Sequence, residues 1–341
     1  MRFEACAFRD FRSFSSARFE WGPGLNLICG PNGSGKTNLL EGLNLLSGWG
    51  PFGGRTGRVI AWGSREGRAF LAARAAGESG HELQAKISTR LALRADGKQA
   101  SCTEVRLLVP SIVFLPTDID LVDGPPAVRR LFLDRLSALC LPPYARRLAE
   151  FRQVARRRTA LLRQGRSPRA TTLPFARMGG WILEARRRVC LRLSLALEGT
   201  VASAPPFSIA LKPDLTGSGE EHLLAALAEH EEREARAMRP LVGPGRDDLE
   251  VTALGRPAAE SLSRGQKRRL VLALILAAGR LVEARIGRRP VLLFDDLAAE
   301  LDAEGRAAAG TALAGTGWQV FLTGVEDPFP DLDKNVCALF R

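Results

Sequence analysis

Apolar and polar positions follow patterns that predict α/β structure at both ends of the chain. Leu25–Cys29 is a short apolar run that predicts a strand, and residues 37–47 place their leucines on one face of a helix. Val109–Leu115 predicts a further strand. Val291–Phe294 and Gln319–Thr323 are short runs with the composition of buried parallel strands. We therefore expect α/β structure in the first and last thirds of the chain.

The middle of the chain has a helical pattern. Pro125-Pro126 begins a predicted helix, and Pro142-Pro143 ends it because proline interrupts a helix interior. Two long arginine-rich helices follow, separated by Gly165–Pro174, and a strand near Phe207–Leu211 interrupts the helices. The expected fold class is α/β: a head with a mixed sheet, built from both ends of the chain, and an inserted α-helical arm domain. The predicted segments are 1–124 for the N-terminal part of the head, 125–240 for the arm and 241–341 for the C-terminal part of the head.

Composition narrows the class of protein. Of the 341 residues 45% are apolar and 25% are charged, which supports a substantial core. No stretch reaches the roughly 18 apolar residues that a membrane span needs. Met1–Glu4 carries an early acid without an apolar region, so we expect no secretory signal, no membrane contact and a cytoplasmic protein. Six cysteines without zinc spacing and only three histidines argue against a histidine metal site or a Ser-His-Asp triad.

The net charge of +12 is concentrated in one segment. Residues 146–192 contain fourteen arginines and two acids, which accounts for the whole excess and leaves the rest of the chain neutral. Such a local excess favours a polyanion such as DNA, bound through its phosphates without sequence-specific base contacts. A solvated helical surface is the alternative explanation. The candidate nucleic-acid contacts are Arg156, Arg157, Arg158, Arg186, Arg187 and Arg188.

A phosphate-binding loop lies between a predicted strand and a predicted helix. Residues 30–37 are a complete G-x-x-x-x-G-K-T motif. Its glycines let backbone N–H groups surround phosphate oxygens, and the following helix N-terminus favours negative charge. We expect Lys36 to reach the β- and γ-phosphates of ATP and the Thr37 hydroxyl to bind Mg²⁺. The expected nucleotide-binding residues of this loop are Gly30, Pro31, Asn32, Gly33, Ser34, Gly35, Lys36, Thr37 and Asn38.

Two acids follow the apolar run at Val291–Phe294. Asp295 suits a Mg²⁺ site, directly or through water, and Asp296 is placed to orient or polarise the attacking water. Alone, the pair could equally be two acids in a polar turn, but the phosphate loop upstream favours the catalytic role. The expected catalytic residues are therefore Asp296 and Lys36, and the expected metal ligands are Thr37 and Asp295.

A second phosphate-binding helix terminus is predicted at Ser263. Residues Ser263, Arg264, Gly265 and Gln266 open a long predicted helix, with a serine N-cap and free backbone N–H groups. This S-x-G-Q pattern just before an Asp-Asp strand is typical of ABC-type ATPases, which use it to grip the γ-phosphate bound by the other subunit. We expect ATP and Mg²⁺ as cofactors and a homodimer that forms on ATP.

The chain resembles the RecF family, bacterial recombination-mediator ATPases related to SMC proteins. The segments that match are 30–41, 114–118, 124–134, 243–249, 262–269 and 292–302. Residues 48–80 match poorly. The resemblance implies an ABC-type ATPase head with a helical arm, and slow ATP hydrolysis. It also implies binding of single- and double-stranded DNA at gaps, and help in loading RecA with RecO and RecR.

Two further hypotheses are an ABC transporter ATPase subunit and an SMC-like DNA clamp that binds ATP without useful turnover. Thr323 stands where transporter ATPases carry a switch histidine, which argues against the transporter. Heptads long enough for an SMC coiled coil are absent. DNA-stimulated phosphate release would separate a repair ATPase from the clamp.

Overall fold

The computed structural model describes residues 1–77, 80–197, 200, 204–215 and 217–339. The strands are β1 (Arg2–Phe11), β2 (Phe14–Glu20), β3 (Leu25–Cys29), β4 (Ala69–Ala76), β5 (His81–Ile87), β6 (Leu91–Ala95), β7 (Lys98–Ala100), β8 (Ser111–Phe114), β9 (Phe207–Lys212), β10 (Asp248–Ala253), β11 (Arg256–Pro257), β12 (Val291–Phe294), β13 (Gln319–Gly324) and β14 (Lys334–Ala338). The α-helices are α1 (Lys36–Leu46), α2 (Cys102–Leu108), α3 (Asp120–Asp123), α4 (Pro126–Cys140), α5 (Tyr144–Arg163), α6 (Arg169–Ala196), α7 (Gly219–Glu229), α8 (Glu231–Ala237), α9 (Ala258–Ser261), α10 (Arg264–Ile286) and α11 (Ala303–Ala314).

The chain forms two compact units, each assembled from separate segments. The head unit consists of residues 1–118, 199–205 and 263–341, and the arm unit consists of residues 119–198 and 206–262. These limits differ from the predicted segments, which placed 241–262 in the head. Residues 241–262 lie in the arm unit because β10 pairs with β9 over its whole length.

Two sheets of opposite type cover helix α1 in the head unit. The parallel sheet has the order β14-β3-β13-β12-β8, and the antiparallel sheet has the order β2-β1-β4-β5-β6-β7. The leucines of α1 share one buried cluster with Phe8 and Leu71 of the antiparallel sheet and Phe321 of the parallel sheet. Gly42 is needed in this helix because a side chain there would meet the ring of Phe8.

The order of the parallel strands brings three chemical groups to one edge. β13 lies between β3 and β12, and all three strands run in the same direction. The phosphate loop follows β3, Asp295 follows β12, and Thr323 lies near the end of β13. Because the carboxyl ends of parallel strands share an edge, these groups are neighbours there.

The arm unit is mainly helical, as the sequence predicts. Helices α4, α5 and α6 bury one another's apolar faces, and the rings of Phe151 and Phe175 lie 5.0 Å apart. A small antiparallel sheet, β11-β10-β9, completes the unit. Throughout the described ranges, no helix combines the length and apolar character that crossing a bilayer requires.

Most predicted elements are confirmed, and two differ in extent. The strand predicted over Val109–Leu115 is limited to Ser111–Phe114. The segment Gly165–Pro174 was expected to separate two helices, but α6 begins at Arg169 and contains Pro174. Pro174 lies early in this helix, where one backbone hydrogen bond is lost, and the burial of Phe175 and Ala176 stabilises the helical course.

Candidate nucleotide site and basic arm

The phosphate loop is a tight turn between β3 and α1. Gly33 and Gly35 have φ of 81° and 102°, a left-handed conformation that favours glycine. Gly35 is the N-cap of α1, so the free N–H groups of that helix point into the loop. The loop thus has the backbone geometry of an anion-binding helix terminus.

Polar side chains of the loop fit a phosphate ligand. The Lys36 ammonium donates to the carbonyl oxygens of Gly30 and Pro31, at 2.7 Å and 3.0 Å. Ser34 Oγ is buried and has no hydrogen-bond partner among the described residues. A buried hydroxyl without a partner is costly, and a phosphate oxygen would satisfy it. Pro31 and Asn32 are exposed, and Asn38 Nδ2 donates to Ser13 Oγ at 2.9 Å.

Asp295 is held between two threonines. The Thr37 hydroxyl lies 3.0 Å and 2.9 Å from the two carboxylate oxygens of Asp295. On the other side the Thr323 hydroxyl donates to Asp295 Oδ1 at 2.7 Å. The structure therefore brings Thr37 and Asp295 together, and a hydroxyl beside a fixed carboxylate is an oxygen-ligand pair of the kind that Mg²⁺ takes.

Asp296 has an unusual backbone that Thr323 also supports. Its φ is 51° and its ψ is 33°, which is left-handed and uncommon for a residue other than glycine. Its backbone N–H donates to Thr323 Oγ1 at 2.9 Å. The sequence singled out Thr323 only as a position where histidine is missing. The structure gives its hydroxyl two partners, Asp295 and Asp296.

The S-x-G-Q pattern at Ser263–Gln266, called the signature below, forms an exposed helix N-terminus. Ser263 is the N-cap of α10: its hydroxyl accepts from the Gln266 N–H at 3.4 Å, and the Gln266 amide oxygen accepts from the Ser263 N–H at 2.9 Å. This reciprocal pair is a capping box. Ser263 and Arg264 are exposed, whereas α10 is buried from Leu270 to Gly279. The terminus is therefore anchored by its own helix and open to a ligand.

Two of the six candidate DNA contacts are buried, so that prediction is corrected for them. Arg158 and Arg186 each expose only 2% of their side chain. Arg158 Nη2 lies 2.7 Å from Glu234 Oε2. A side chain that is buried and ion-paired inside the arm unit cannot reach a ligand in solution. Arg156, Arg157, Arg187 and Arg188 are exposed.

Arg186 is the centre of a buried polar network. Its guanidinium donates to both carboxylate oxygens of Asp247 at 2.6 Å and to Asp134 Oδ1 at 2.7 Å. Burial raises the pKa of Asp247 to about 6, although Arg186 acts in the opposite direction. Asp248, the residue after Asp247, accepts two hydrogen bonds from the Arg129 guanidinium, at 2.7 Å and 2.8 Å. Asp247 and Asp248, which belong to the matching segment 243–249, therefore connect the start of β10 to α4 and α6.

Helical periodicity was a signal that could have identified both buried arginines. Arg158 lies seven positions after Phe151 and four before Leu162, on the buried face of α5. Arg186 similarly lies among Leu183, Val189 and Cys190 on the buried face of α6. Their partners Glu234, Asp134 and Asp247 lie far away in the sequence, so charge counting along one segment could not show the pairing.

Known proteins resemble this chain over nearly its whole length. A family model described as an AAA domain matches residues 7–104. The DNA replication and repair protein RecF of Myxococcus xanthus is 35% identical, over 95% of this chain and 90% of the relative. This chain belongs to the RecF family. The match includes both units, because residues from all parts of the chain are covered.

Solved structures show the same fold. A RecF-ATP structure of the recombination mediator protein in the RecFOR pathway has a TM-score of 0.85, with 22% identity, and covers 97% of this chain and 93% of that chain. An Smc head bound to the C-winged helix domain of ScpA has a TM-score of 0.55, with 17% identity, and covers 96% and 90%. This RecF-family chain thus has the fold of ABC-type ATPase heads, with an inserted helical unit.

Proposed function

We propose that this chain is an ATP-dependent DNA-binding protein of recombinational repair and replication restart. The observation that carries the proposal is the edge where the phosphate loop, the Thr37–Asp295 pair and Thr323 meet. Such an edge suits a nucleotide switch, and curated relatives are named for DNA replication and repair. In this role the protein binds single- and double-stranded DNA at gaps and helps to load RecA, with RecO and RecR as partners.

The residues of this edge have separate tasks. Backbone N–H groups of the loop and the Lys36 ammonium bind the phosphates of ATP. Thr37 and Asp295 would hold Mg²⁺, which would neutralise phosphate charge when bound. Asp296 orients the attacking water and accepts its proton. ATP hydrolysis is slow, and it ends the DNA-bound state of the protein.

The exposed signature at the N-terminus of α10 is the surface through which two copies of the chain form a dimer. The free N–H groups at the start of α10 and the hydroxyl of Ser263 face solvent, so a phosphate can approach them from outside the head unit. Ser263, Arg264, Gly265 and Gln266 then bind the γ-phosphate carried by a second copy of the chain. ATP thereby links two copies, and nucleotide state is coupled to the DNA-binding form.

Light scattering with and without ATP·Mg²⁺ tests this proposal. We expect a doubling of mass on ATP for the wild type, and a complex of the doubled species with a gapped duplex. Ser263→Arg places a bulky cation at the exposed terminus and should leave a monomer that still binds ATP. Arg285→Lys, near the other end of the same helix, is a matched control that should dimerise normally. A wild type that stays monomeric with saturating ATP·Mg²⁺ would contradict the dimer.

A second measurement addresses the role of turnover. Phosphate release is followed with and without gapped duplex DNA. The repair ATPase should be stimulated by DNA. A rate that DNA does not change would instead favour a clamp that only binds nucleotide.

A further inference from the structure

The outer face of the antiparallel sheet in the head unit carries an ordered set of side chains. Because cross-strand partners share a face, the pairing register defines rows across the strands. Two adjacent rows point away from the core. The first row is Ser16, Arg9, Phe70, Lys86 and Ala92. The second row is Arg18, Ala7, Ala72, Gln84, Arg94 and Gln99.

These two rows form a basic face. Arg9, Arg18, Lys86 and Arg94 are exposed, and within the described ranges neither row contains an acid. On one side, acids begin in the next row, with Glu20 opposite Ala5 and Glu82 opposite Arg74. On the other side, Glu66 lies in the loop before β4. Two exposed ion pairs touch the basic face: Arg9 with Glu66 at 3.8 Å and Arg18 with Glu20 at 3.9 Å. Such exposed pairs are weak and leave both arginines available.

The same face is hollow and contains an aromatic ring. Its concavity has a volume of about 1110 Å³. The small side chains of Ala7, Ala72 and Ala92 leave the sheet surface open between the longer basic ones. The Arg9 guanidinium lies 4.5 Å from the centre of the Phe70 ring, and the Lys86 ammonium lies 5.8 Å from it. Phe70 thus holds the cationic groups of Arg9 and Lys86 close to this hollow face.

A rigid turn beside this face presents a fully exposed tryptophan. Trp62 lies in the turn 61–64, which the Ser64 N–H closes on the Ala61 carbonyl at 3.0 Å. The Ala61 N–H donates to the carbonyl of Asp10, the residue that follows Arg9, at 2.8 Å. Ser64 Oγ lies 3.3 Å from Asp10 Oδ2. The turn is therefore tied to the end of β1, and the indole that it carries is exposed to solvent.

The indole and the basic face together indicate the kind of ligand. An exposed indole on a fixed turn is a surface for stacking a flat ring, and the neighbouring Arg65 and Arg68 are exposed cations. Positive grooves that follow a backbone, with aromatic side chains on which bases stack, are how proteins bind single-stranded nucleic acid. A duplex keeps its base faces inside the helix, so an unpaired base suits Trp62 better. The two acid-free rows favour a phosphate backbone over a protein surface of mixed charge.

We propose that this face binds a single strand of nucleic acid, with phosphates on Arg9, Arg18, Lys86 and Arg94 and an unpaired base stacked on Trp62. The proposal rests on the proposed DNA-binding function and adds a place for the unpaired strand of a gap.

Fluorescence anisotropy of a labelled 15-nucleotide oligo(dT) tests the proposal on the full chain. Trp62→Ala should weaken binding roughly 5- to 150-fold, the range for losing one base–aromatic stack. Trp62→Phe should restore most of the affinity. Leu254→Ala removes another exposed apolar side chain, in the arm unit, and should change nothing. Circular dichroism of each variant should match the wild type, because neither side chain is buried.

Salt dependence tests the basic face independently. Lys86→Gln with Arg94→Gln should lower the log–log salt slope for oligo(dT) by about 0.7 for each phosphate that the variant no longer binds. Arg74→Gln, in the row that contains acids, is the matched control and should leave the slope unchanged. A blunt duplex of equal length should be far less sensitive than oligo(dT) to Trp62→Ala.

The outcomes separate this inference from the proposed function. An unchanged oligo(dT) affinity in Trp62→Ala, with gapped-duplex binding intact, overturns the inference and leaves the function standing. A wild type that binds neither oligo(dT) nor gapped duplex contradicts the function itself. Unchanged oligo(dT) binding together with weakened binding of purified RecO or RecR would make the face a protein contact, and would also overturn the inference.

Discussion

At the scale of single residues, one hydroxyl organises the catalytic edge. Thr323 donates to Asp295 and accepts from the backbone N–H of Asp296, so it fixes both the proposed metal ligand and the residue proposed to orient the attacking water. A histidine at this position in transporter ATPases has a different chemistry, because an imidazole is larger and titrates near neutral pH. We therefore expect Thr323 to act through Asp295 and Asp296, as a positioning residue.

Thr323→Val tests this role. The change keeps the shape but removes the donor to Asp295 and leaves the Asp296 N–H without its acceptor. Losing such buried hydrogen bonds costs about 1–3 kcal/mol, so we expect phosphate release to slow roughly 5- to 150-fold while ATP affinity changes little. Thr323→Ser restores the hydroxyl and should recover most of the rate. Equal losses in the valine and serine variants would show that the methyl group matters instead.

Substitutions of Lys36 and Asp296 should impair different steps, ATP binding and ATP hydrolysis. Lys36→Met removes a charge-assisted phosphate contact, so nucleotide binding should weaken. Asp296→Asn keeps the shape and should preserve ATP binding while it slows hydrolysis and traps the dimer. Binding of a fluorescent ATP analogue and single-turnover phosphate release measure the two steps. Hydrolysis at the wild-type rate in Asp296→Asn would remove Asp296 from the water-orienting role.

At the scale of elements, the arm helices use arginine in two different ways. Arg157 and Arg158 are adjacent on α5, yet one is exposed and the other is buried against Glu234. A one-residue step along a helix turns the side chain by a little over a quarter of a turn, which is enough to move it from solvent to the core. Runs of arginine on these helices therefore combine a structural ion pair with a solvent-facing charge.

Separate substitutions of Arg157 and Arg158 distinguish the exposed charge from the buried ion pair. Arg158→Met leaves the buried Glu234 carboxylate unpaired and should destabilise the protein by about 3–5 kcal/mol. Arg157→Met should stay within about 0.5 kcal/mol of the wild type. Adding Glu234→Leu to Arg158→Met should recover much of the loss, because an apolar pair of similar size can replace a buried ion pair. Urea unfolding followed by circular dichroism measures all three, and equal losses for both methionine variants would contradict the assignment.

At the scale of the whole molecule, the sequence predicts local motifs better than long-range pairing. The phosphate loop, the Asp295–Asp296 pair and the serine N-cap at Ser263 are each recognised from a few adjacent residues. The structure has the loop between β3 and α1, the two acids directly after β12 and Ser263 at the N-terminus of α10. The rows on the antiparallel sheet depend on register between strands far apart in sequence, which no short pattern fixes. The burial of Arg186 needed partners 52 and 61 residues away.

The exposed arm arginines should determine how DNA binding responds to salt. Changing Arg156, Arg157, Arg187 and Arg188 to glutamine should lower the log–log salt slope for duplex DNA by roughly 0.9 for each phosphate that is no longer bound. Arg256→Gln, an exposed arginine in β11, is the control. Binding should depend little on DNA sequence, because phosphates carry none. An unchanged affinity and slope would favour a solvated arm surface.

The strand order of the head unit also governs when the protein can become active during synthesis. Both neighbours of β3, namely β13 and β14, are synthesised long after β3 itself. The two segments of the arm unit are complete at residue 262, well before those strands exist. A nascent chain can therefore fold its arm first, while the strand that carries the phosphate loop still lacks both neighbours. Translation that stops early would release chains with a basic arm and no working nucleotide switch.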